Sequence, residues 1–591
     1  MAGIVLFGGD DTYYGGSTAD SISGLAGNDF IVGGSGSDTL FGGLGNDVLQ
    51  DGSAGDKDIY WGGAGDDTLN AGFGDFGDVA DGGAGVDTIS LHYAAFTLGG
   101  LSVVFGSSFF VLAAGAQGIS VQNCEAMTIA ATTFADLIQS GNGNDRIHAG
   151  DGLDSVYGGG GDDYIDAGTG DFDLDGGLGN DILALVTNST SADVTWVVRP
   201  NFASTLVGFS GNARGFESLH ILTGAGNDHL TGGALEDRFN TGDGNDQLYG
   251  GQGNDILGSG RGSDRVLGGD GDDFITQSGV FETGANGDTV FGGLGNDQIF
   301  GGDRDEDLSG DDGNDVLSGS YGLDILKGGA GNDTLFGGSQ AAFYGGQNDD
   351  LVSVSLTGVM GILSGGTGTD LLLGYQNFND RALVLETDFV AGGYQVTLGG
   401  VVVVVATGFE AVGITGGEQG DTLRGGAFDD QLTGYQYDGP ASDTDSLYGL
   451  AGNDRLTGRA GVDRLFGGVG GDDLSGGLDA DILFGGLDAD VFRYTTLADS
   501  GPGPLRDIIR DFSVVDDTID LSAIDADSID PLLHAFIFIG RTAFSGAAGE
   551  LRFTANLTRT MILGDVDGDA VADFEIQLDG KHILTSADFV L

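Results

Sequence analysis

Cysteine, proline and positive charge are scarce in this chain. Cys124 is the one cysteine among 591 residues, which excludes an intramolecular disulfide and a thiolate zinc cluster. Only 5 prolines occur, and 21 Lys+Arg face 90 Asp+Glu for a formal net charge of −69. Such a chain repels nucleic acid and anionic membranes, so neither is an expected partner, and multivalent cations are its natural counter-charge. Long apolar runs are missing too: the longest, GGVVVVVATG around Val401 to Ala406, is far short of the ~20 residues of a membrane helix. The N-terminal MAGIVLFGGDD has neither a basic n-region nor a long apolar h-region, so the protein is expected to be soluble, or exported by a route that reads no N-terminal signal. None of His92, His148, His220, His229, His534 and His582 belongs to an HExxH zinc-protease helix, and no GxSxG elbow occurs. The repeats begin by Asp11, so no N-terminal catalytic or pore-forming domain is expected, and the chain reads as non-enzymatic.

Glycine is abundant, with 118 residues, and the chain is 40% hydrophobic with 35 Phe and 15 Tyr. That composition can build a core once its charge is handled. The glycines follow a period. The hexapeptide GGxGxD occurs twelve times, ending at Asp38, Asp47, Asp67, Asp87, Asp163, Asp181, Asp255, Asp273, Asp297, Asp333, Asp370 and Asp472. Asp11, Asp20, Asp29, Asp38 and Asp47 fall nine apart, as do Asp228, Asp237, Asp246, Asp255, Asp264 and Asp273, whereas Asp47, Asp58, Asp67, Asp78 and Asp87 alternate between 11 and 9. Two loops therefore make one rung. After each Asp comes any residue and then a large apolar one, as in Asp47-Val-Leu49 and Asp454-Arg-Leu456. A strand so short buries nothing alone, so rungs must stack, with glycine turning each loop through angles closed to other residues.

Stacking at ~4.8 Å aligns the carboxylates into ladders that are unfavourable without cations between them. Carboxylates with carbonyl oxygens, and no His or Cys nearby, suit Ca²⁺ better than Mg²⁺. The plainer reading is that each Asp merely caps a turn, but isolated turns need no common period.

These nonapeptides, of form GGxGxDxUx, resemble the RTX (repeats-in-toxin) family, whose repeat binds calcium. The resemblance covers roughly residues 7–490. It implies an all-β fold, a right-handed parallel β-roll with ladders of many Ca²⁺ ions held by the Asp side chains and by carbonyls of the first four loop residues. The expected metal residues of the first roll are Asp20, Asp29, Gly33, Asp38, Gly42, Asp47, Gly62, Asp67, Asp78, Gly82 and Asp87. The second contributes Asp145, Asp154, Gly158, Asp163, Gly176 and Asp181. The third contributes Asp228, Asp237, Asp246, Gly250, Asp255, Asp264, Gly268, Asp273, Asp288, Gly292, Asp297, Asp315, Asp324, Gly328, Asp333, Gly365 and Asp370, and the fourth Asp421, Asp430, Asp454, Asp463, Gly467, Asp472, Asp481 and Asp490. Three loops depart from the pattern and are expected to bind weakly or not at all: GGDRDED ending at Asp307, GDDGN before Asp315, and YGGQNDD at Tyr344 to Asp350.

From Asp490 onward, DVFRYTTLADSGPGPLRDIIRDFSVVDDTIDLSAID and the closing ADFVL are similar to the C-terminal region of serralysin-type exoproteins. That similarity implies a β-rich secretion domain read by a type I ABC exporter, with Asp588 and the apolar residues behind it as part of the signal. Within it, Asp565, Asp567, Asp569 and Asp573 begin like an EF-hand, but Ala570 stands where glycine is required and no Glu follows at the twelfth position, so a hairpin turn is expected.

The repeat stops after Asp87, Asp181 and Asp370. Each interruption opens on an apolar strand, runs through alternating segments and ends at a Glu (Glu125, Glu217, Glu410), eleven residues before the next repeat Asp (Asp136, Asp228, Asp421). One wider β-helical module used three times is expected, burying side chains such as Trp196, Phe109 and Val403. A glutamate recurring once per module reads as architectural, capping a loop or completing a calcium site. The expected order is roll 1–87, inserted β module 88–135, roll 136–181, module 182–227, roll 228–370, module 371–420, roll 421–490 and secretion region 491–591. Together these point to a secreted calcium-binding protein that folds on extracellular Ca²⁺ and serves a structural role in a surface layer or extracellular matrix. The alternatives are a carbohydrate-binding or adhesive protein and, less favoured, a polysaccharide-acting enzyme. Self-assembly through exposed roll ends and a cell-surface polysaccharide are the partners this leaves open.

Overall fold

A stretch of three residues between glycine loops can form only a short strand, and the chain is built from such strands. The structure, a computed structural model, describes residues 2–53, 56–73, 77–93, 102–106, 109–112, 120–187, 192–197, 204–206, 211–277, 287–337, 341–355, 362–375, 383–388, 393–398, 401–435, 444–527 and 534–591. The described residues contain no α-helix; Leu497–Ser500, Gly503–Leu505 and Ser586–Asp588 are short 3-10 turns. The chain divides into two compact units, 1–280 with 287–298, and 281–286 with 299–591.

In the first unit, strands on one side of the coil, Asp20–Ala26, Thr39–Leu44, Ile59–Ala64 and Val79–Ala84, pair in parallel, each with the strand one rung on. On the other side Thr12–Tyr14, Phe30–Val32, Val48–Gln50, Thr68–Phe73 and Thr88–His92 do the same. The large apolar residue two after each Asp falls in register: Ile31, Leu49, Leu69 and Ile89 form one column, Leu40 and Tyr60 another, all 0% exposed. The core is thus two columns of side chains, one per strand, and each added rung buries two more residues.

The second unit repeats this plan. Leu308, Leu326, Phe343 and Leu363 make one column, and Leu432, Leu456, Leu474 and Phe492 another. The secretion region continues both sides. Asp507–Ile509 pairs in parallel with Ile482–Leu487, and Thr518–Asp520 with Val491–Arg493. The terminal Phe589–Val590 in turn pairs with Thr518–Asp520, so Phe589 lies over Ile519. The chain from Asp565 to Asp573 joins the antiparallel strands Arg559–Asp565 and Phe574–Asp579, the hairpin expected from Ala570, which holds φ +66.

At each insertion the strand on one side lengthens to five residues and points two side chains inward: Ile89 and Leu91, Leu183 and Leu185 in the first unit, Val412 and Ile414 in the second. The column enters on one residue and leaves on the other. Ile89 pairs with Met127, but it is Ile129 that meets Ile147 of the next roll. This two-residue step turns the usual spacing of nine into the eleven between Glu125 and Asp136. Between entry and exit the chain runs antiparallel, which the alternating pattern did not announce: Ser102–Gly106 with Phe109–Leu112, Ser204–Leu206 with Gly211–Arg214, and Leu383–Asp388, Gly393–Leu398 and Val401–Thr407 in sequence. Trp196 is buried; the side chains of Phe109 and Val403 lie outside the described ones.

Close stacking decides where glycine is indispensable. Gly43 holds φ +122, and a Cβ there would sit 2.3 Å from Leu25 O of the preceding rung; Gly9 has nothing within 4 Å. Gly43→Ala is expected to destabilise the calcium-loaded protein by about 1–3 kcal/mol, read as a lowered denaturant midpoint, while Gly9→Ala leaves the midpoint unchanged.

Candidate metal centre in the aspartate ladders

Each repeat Asp joins two rungs. Asp47 Oδ1 accepts the backbone N–H of Asp29 at 2.8 Å, and the Asp47 N–H donates to Asp67 Oδ1 at 2.8 Å. The chain of donation runs Asp11, Asp29, Asp47, Asp67, Asp87 on one side and Asp20, Asp38, Asp58, Asp78 on the other. The same bond links Asp145, Asp163 and Asp181, Asp136 to Asp154, Asp237 through Asp255 and Asp273 to Asp297, and Asp228 through Asp246 and Asp264 to Asp288. In the second unit it links Asp315, Asp333, Asp350 and Asp370, then Asp430, Asp454, Asp472 and Asp490, and Asp421, Asp445, Asp463 and Asp481. The secretion region closes both of the last ladders: Asp481 donates to Asp507 Oδ1 and Asp490 to Asp517 Oδ1.

The second carboxylate oxygen divides the loops into two forms. In Asp29, Asp38, Asp47, Asp67, Asp87, Asp163, Asp181, Asp255, Asp273, Asp333, Asp350, Asp370, Asp454, Asp472, Asp481 and Asp490 the Oδ2 is buried and no protein donor reaches it. Wherever the loops of these residues are fully described, the second and fourth positions hold positive φ, as at Gly43 (+122) and Gly45 (+117) before Asp47. Asp154, Asp246, Asp264, Asp297, Asp315, Asp324 and Asp463 end loops of the same open form. Asp78 and Asp288 stand on the ladders, with parts of their loops outside the described residues. The first loop glycine faces the same space as the bare oxygen: a Cβ on Gly42 would lie 2.3 Å from Asp47 Oδ2 and 2.5 Å from Gly62 O of the next rung. Gly62, Gly158, Gly250, Gly268, Gly328 and Gly467 repeat this pairing of their own carboxylate with the next rung's carbonyl. Hard oxygens from successive rungs converge where only glycine leaves room, and this donor set fits Ca²⁺.

The other form is closed. Asp20, Asp145, Asp237 and Asp421 turn Oδ2 onto the N–H of their own loop's second residue (Gly16, Gly141, Gly233, Gly417), as Asp430 does with Gly426 and Asp136 with Thr132. Asp11 takes the Phe7 N–H, and Asp228 takes the Thr223 hydroxyl. The second and fourth residues of these loops do not appear among the positive-φ positions. They are the first two loops of each of the four rolls. The turn-cap reading of Asp, set aside from the spacing, therefore describes these eight, and Asp20, Asp145, Asp228, Asp237, Asp421 and Asp430, expected as ligands, differ from the rest.

Two irregular loops also fall otherwise than the pattern implied. Asp315 and Asp350 end full open loops, with Asp311 (φ +72) and Asn348 (φ +74) in place of glycine; Asn and Asp tolerate that region best after Gly. In GGDRDED it is Glu306, not Asp307, that holds the ladder position, donating to Asp324 Oδ1 while its own side chain accepts from Arg304 N–H. Asp58, Asp350, Asp445, Asp507 and Asp517 are ladder members that the hexapeptide did not single out; the Asn of GGQNDD was the available signal for Asp350.

The three module glutamates share one geometry. Glu125, Glu217 and Glu410 each accept, through Oε2, the N–H of the last Asp before the insertion (Asp87, Asp181, Asp370) at 2.8–2.9 Å. The backbone N–H of each Glu and of its successor both donate to the carbonyl of that same Asp. Two residues before each Glu stands a left-handed residue, Asn123 (φ +50), Gly215 (+68) or Gly408 (+69), and between them a buried one, Cys124, Phe216 or Phe409. Burial pushes the Cys124 thiol up to about 12, so it packs as an apolar group. The glutamate ends one ladder, and along the strand that follows it the column steps by two residues.

Burial also raises the ladder carboxyls: Asp47 and Asp67 to about 6, Asp333 and Asp472 to about 7, and Asp163 and Asp255 to about 8, against backbone hydrogen bonds that pull them down. Among the described side chains Asp565, Asp567 and Asp573 also bring carboxylate oxygens within 4.8 Å of one another, but both oxygens of Asp565 accept turn N–H groups from Gly568 and Ala570.

A stacked parallel roll whose loops present buried carboxylate oxygens defines a class, the calcium-repeat β-roll. The model of the RTX calcium-binding nonapeptide repeat matches residues 14–49, 52–89, 128–156, 139–171, 150–183, 222–257, 259–276, 281–308 and 309–341, and that of the peptidase M10 serralysin C terminal matches 415–591. The chain is an RTX repeat protein with a serralysin-type C-terminal secretion region, a secreted bacterial protein. Solved structures similar to it include the AlgE6R2 and AlgE6R3 subunits of the Azotobacter vinelandii mannuronan C5-epimerase. The first is 25% identical over 30% of this chain and 92% of that one (TM-score 0.18), the second 28% identical over 29% and 80% (TM-score 0.19). The extracellular lipase LipA of Serratia marcescens is 15% identical over 54% of this chain and 45% of that one (TM-score 0.14). No curated protein matches. No helix among the described residues is long and apolar enough to cross a membrane.

Without a counter-ion the folded chain binds more protons than the unfolded one, whose Asp carboxyls ionise near about 3.9. The resulting penalty is absent below that value and grows as pH rises through the window that ends at about 6 for Asp47 and about 8 for Asp163. In excess EGTA the β-sheet circular dichroism signal should therefore increase as pH is lowered from about 8 to about 5; a pH-independent signal contradicts the assignment. For the module exit, Glu410→Ala strands the Asp370 N–H and should cost about 1–3 kcal/mol in the denaturant midpoint, whereas Glu410→Gln, which keeps an acceptor, should lose less than half of that.

Proposed function

We propose that the open loops are the calcium sites and the closed loops are not, so that each roll begins with two loops that bind no ion. The carrying observation is the buried Oδ2 of open-loop aspartates such as Asp47, Asp67, Asp255, Asp333 and Asp472, which no protein donor reaches while the next rung's carbonyl faces the same space. An ionised buried carboxylate without partner costs several kcal/mol, more than the roughly 1.5–3 kcal/mol of its one charge-assisted hydrogen bond. A cation between rungs removes that cost, and its coordination closes adjacent loops on each other.

On this reading folding follows calcium. At low cytosolic Ca²⁺ the net charge of −69 keeps the chain extended and fit for a type I exporter, and millimolar calcium outside folds it, as suits extracellular sites with Kd on the order of 10⁻⁴–10⁻³ M. The finished protein serves a structural role at the cell surface, as a surface-layer or matrix component. What supports this is a chain given over to rolls, inserted strands and a secretion region, with no catalytic domain among the families matched. Asp370 and Asp430 test the division of loops. Asp370→Asn should lower the calcium stoichiometry by at least one ion and shift the folding midpoint to higher calcium, while Asp430→Asn leaves the stoichiometry unchanged, read by equilibrium dialysis and by circular dichroism during a calcium titration. Full β-structure of the parent protein in excess EGTA at neutral pH would sink the proposal. Electron microscopy of the secreted material with and without chelator checks the structural role: ordered sheets or fibres that dissolve on chelation are expected.

A further inference from the structure

We propose that a groove on the fourth roll binds a glycan bearing carboxylates. The groove lies within the second unit and holds about 510 Å³. It crosses the strands Gln431–Thr433, Arg455–Ala460, Asp473–Leu478 and Val491–Arg493. Leu432, Leu456, Leu474 and Phe492 of these strands point into the core, so their neighbours stand on the opposite face. Thr433, Thr457 and Ser475 are in register there, a row of hydroxyls that repeats once per rung along the coil. Arg455, Arg459 and Arg493 flank that row.

Three of the chain's 21 basic residues thus converge on one surface of a molecule whose net charge is −69. Their states differ. Arg493 is forked between Asp473 and Asp520 and forms a fixed, neutralised end. Arg455 is exposed and pairs with no carboxylate among the described residues. Arg459 sits at φ +82, in the loop position that Gly468 and Gly477 fill in the next two loops, so a guanidinium is carried where the backbone favours glycine. The one acidic side chain in the lining, Asp499, is buried and accepts from the N–H and hydroxyl groups of Thr495 and Thr496, so its oxygens are already engaged.

Planar guanidinium forks recognise carboxylates, and hydroxyls spaced by the rung answer the hydroxyls of successive sugar rings. The lining holds no aromatic side chain, so nucleobases find no stacking platform, and dense polyanions meet the repulsion of the surrounding acidic surface. A chain of sugars carrying carboxylates at intervals fits both features. The proposal rests on the calcium-folded roll argued above, so folding is measured separately.

Calcium-loaded full-length protein, its fold checked by circular dichroism, is titrated by calorimetry with hyaluronan oligosaccharides and with trigalacturonate. A neutral chitin oligosaccharide and a single-stranded DNA oligonucleotide of equal charge serve as comparisons. Saturable binding of at least one uronate probe is expected, weakened about tenfold or more by Arg455→Glu and by Arg459→Gly, the latter a change the backbone welcomes. Arg146→Glu, in the other unit, should leave binding unchanged. Binding of neither uronate, equal binding of the chitin or DNA probe, or indifference to both groove variants in folded protein overturns the proposal. Loss of the circular dichroism signal in the parent protein at millimolar calcium would instead overturn the calcium reading.

Discussion

The structure depends on one hydrogen bond repeated along its length, from the backbone N–H of one aspartate to Oδ1 of the aspartate a rung further on. It fixes the register of every loop against its neighbour and holds the carboxylate at the edge of the coil. It satisfies one oxygen and buries the other. Each such bond contributes about 1.5–3 kcal/mol, and each ionised, otherwise unpartnered carboxylate costs several. The ladder is therefore unfavourable as bare charge and favourable once the second oxygen meets a proton or a cation. The stability of the fold and its response to ions share this one origin.

Glycine follows from the same constraint. An open loop lays its second and fourth residues on the carbonyls of the loop below, with Gly43 against Leu25 and Gly45 against Gly27, and a side chain at either place would need both a left-handed backbone and space that does not exist. Where the chain departs from glycine it uses Asn348, Asp311, Asp479 or Asp488, residues that reach this region at modest cost, or it carries another side chain there, as at Leu25, Ser320, Leu450 and Arg459. The inserted modules interrupt the ladder without breaking the core, because the column passes from one inward residue to the next but one on the same lengthened strand, and a glutamate bridges the last aspartate.

Much of this was legible in the residues. The nine-residue period, the two-loop rung, the inward apolar residue and the hard-oxygen chemistry all follow from spacing and composition, because a parallel stack maps sequence period directly onto spatial register. The eleven-residue interval after Glu125, Glu217 and Glu410 was visible too, but its cause was not: it comes from the handover between Ile89 and Leu91 or between Val412 and Ile414, which exists only when strands lie side by side. The groove of Arg455, Arg459 and Arg493 was illegible, since Arg493 stands two rungs beyond the strand that carries the other two and the three form no motif.

The sequence by itself determined that this chain stacks, that its loops need glycine, and that its charge needs a hard cation. Only the tertiary structure decided which loops can offer a bare oxygen. SGNGND ending at Asp145 and TGAGND ending at Asp228 match SGRGSD ending at Asp264 and TGDGND ending at Asp246 in every feature the pattern specifies. Yet the first two are closed, and the last two are open. Asp246 and Asp264 have a repeat loop beneath them, whose carbonyls at Gly224, Gly226, Gly242 and Gly244 receive their glycines. Asp145 and Asp228 stand on the strands of an inserted module, where Gly143 meets Glu125 and Gly226 meets Ala192. Without a loop to lie upon, the backbone keeps to ordinary angles, and the carboxylate turns back to cap its own turn.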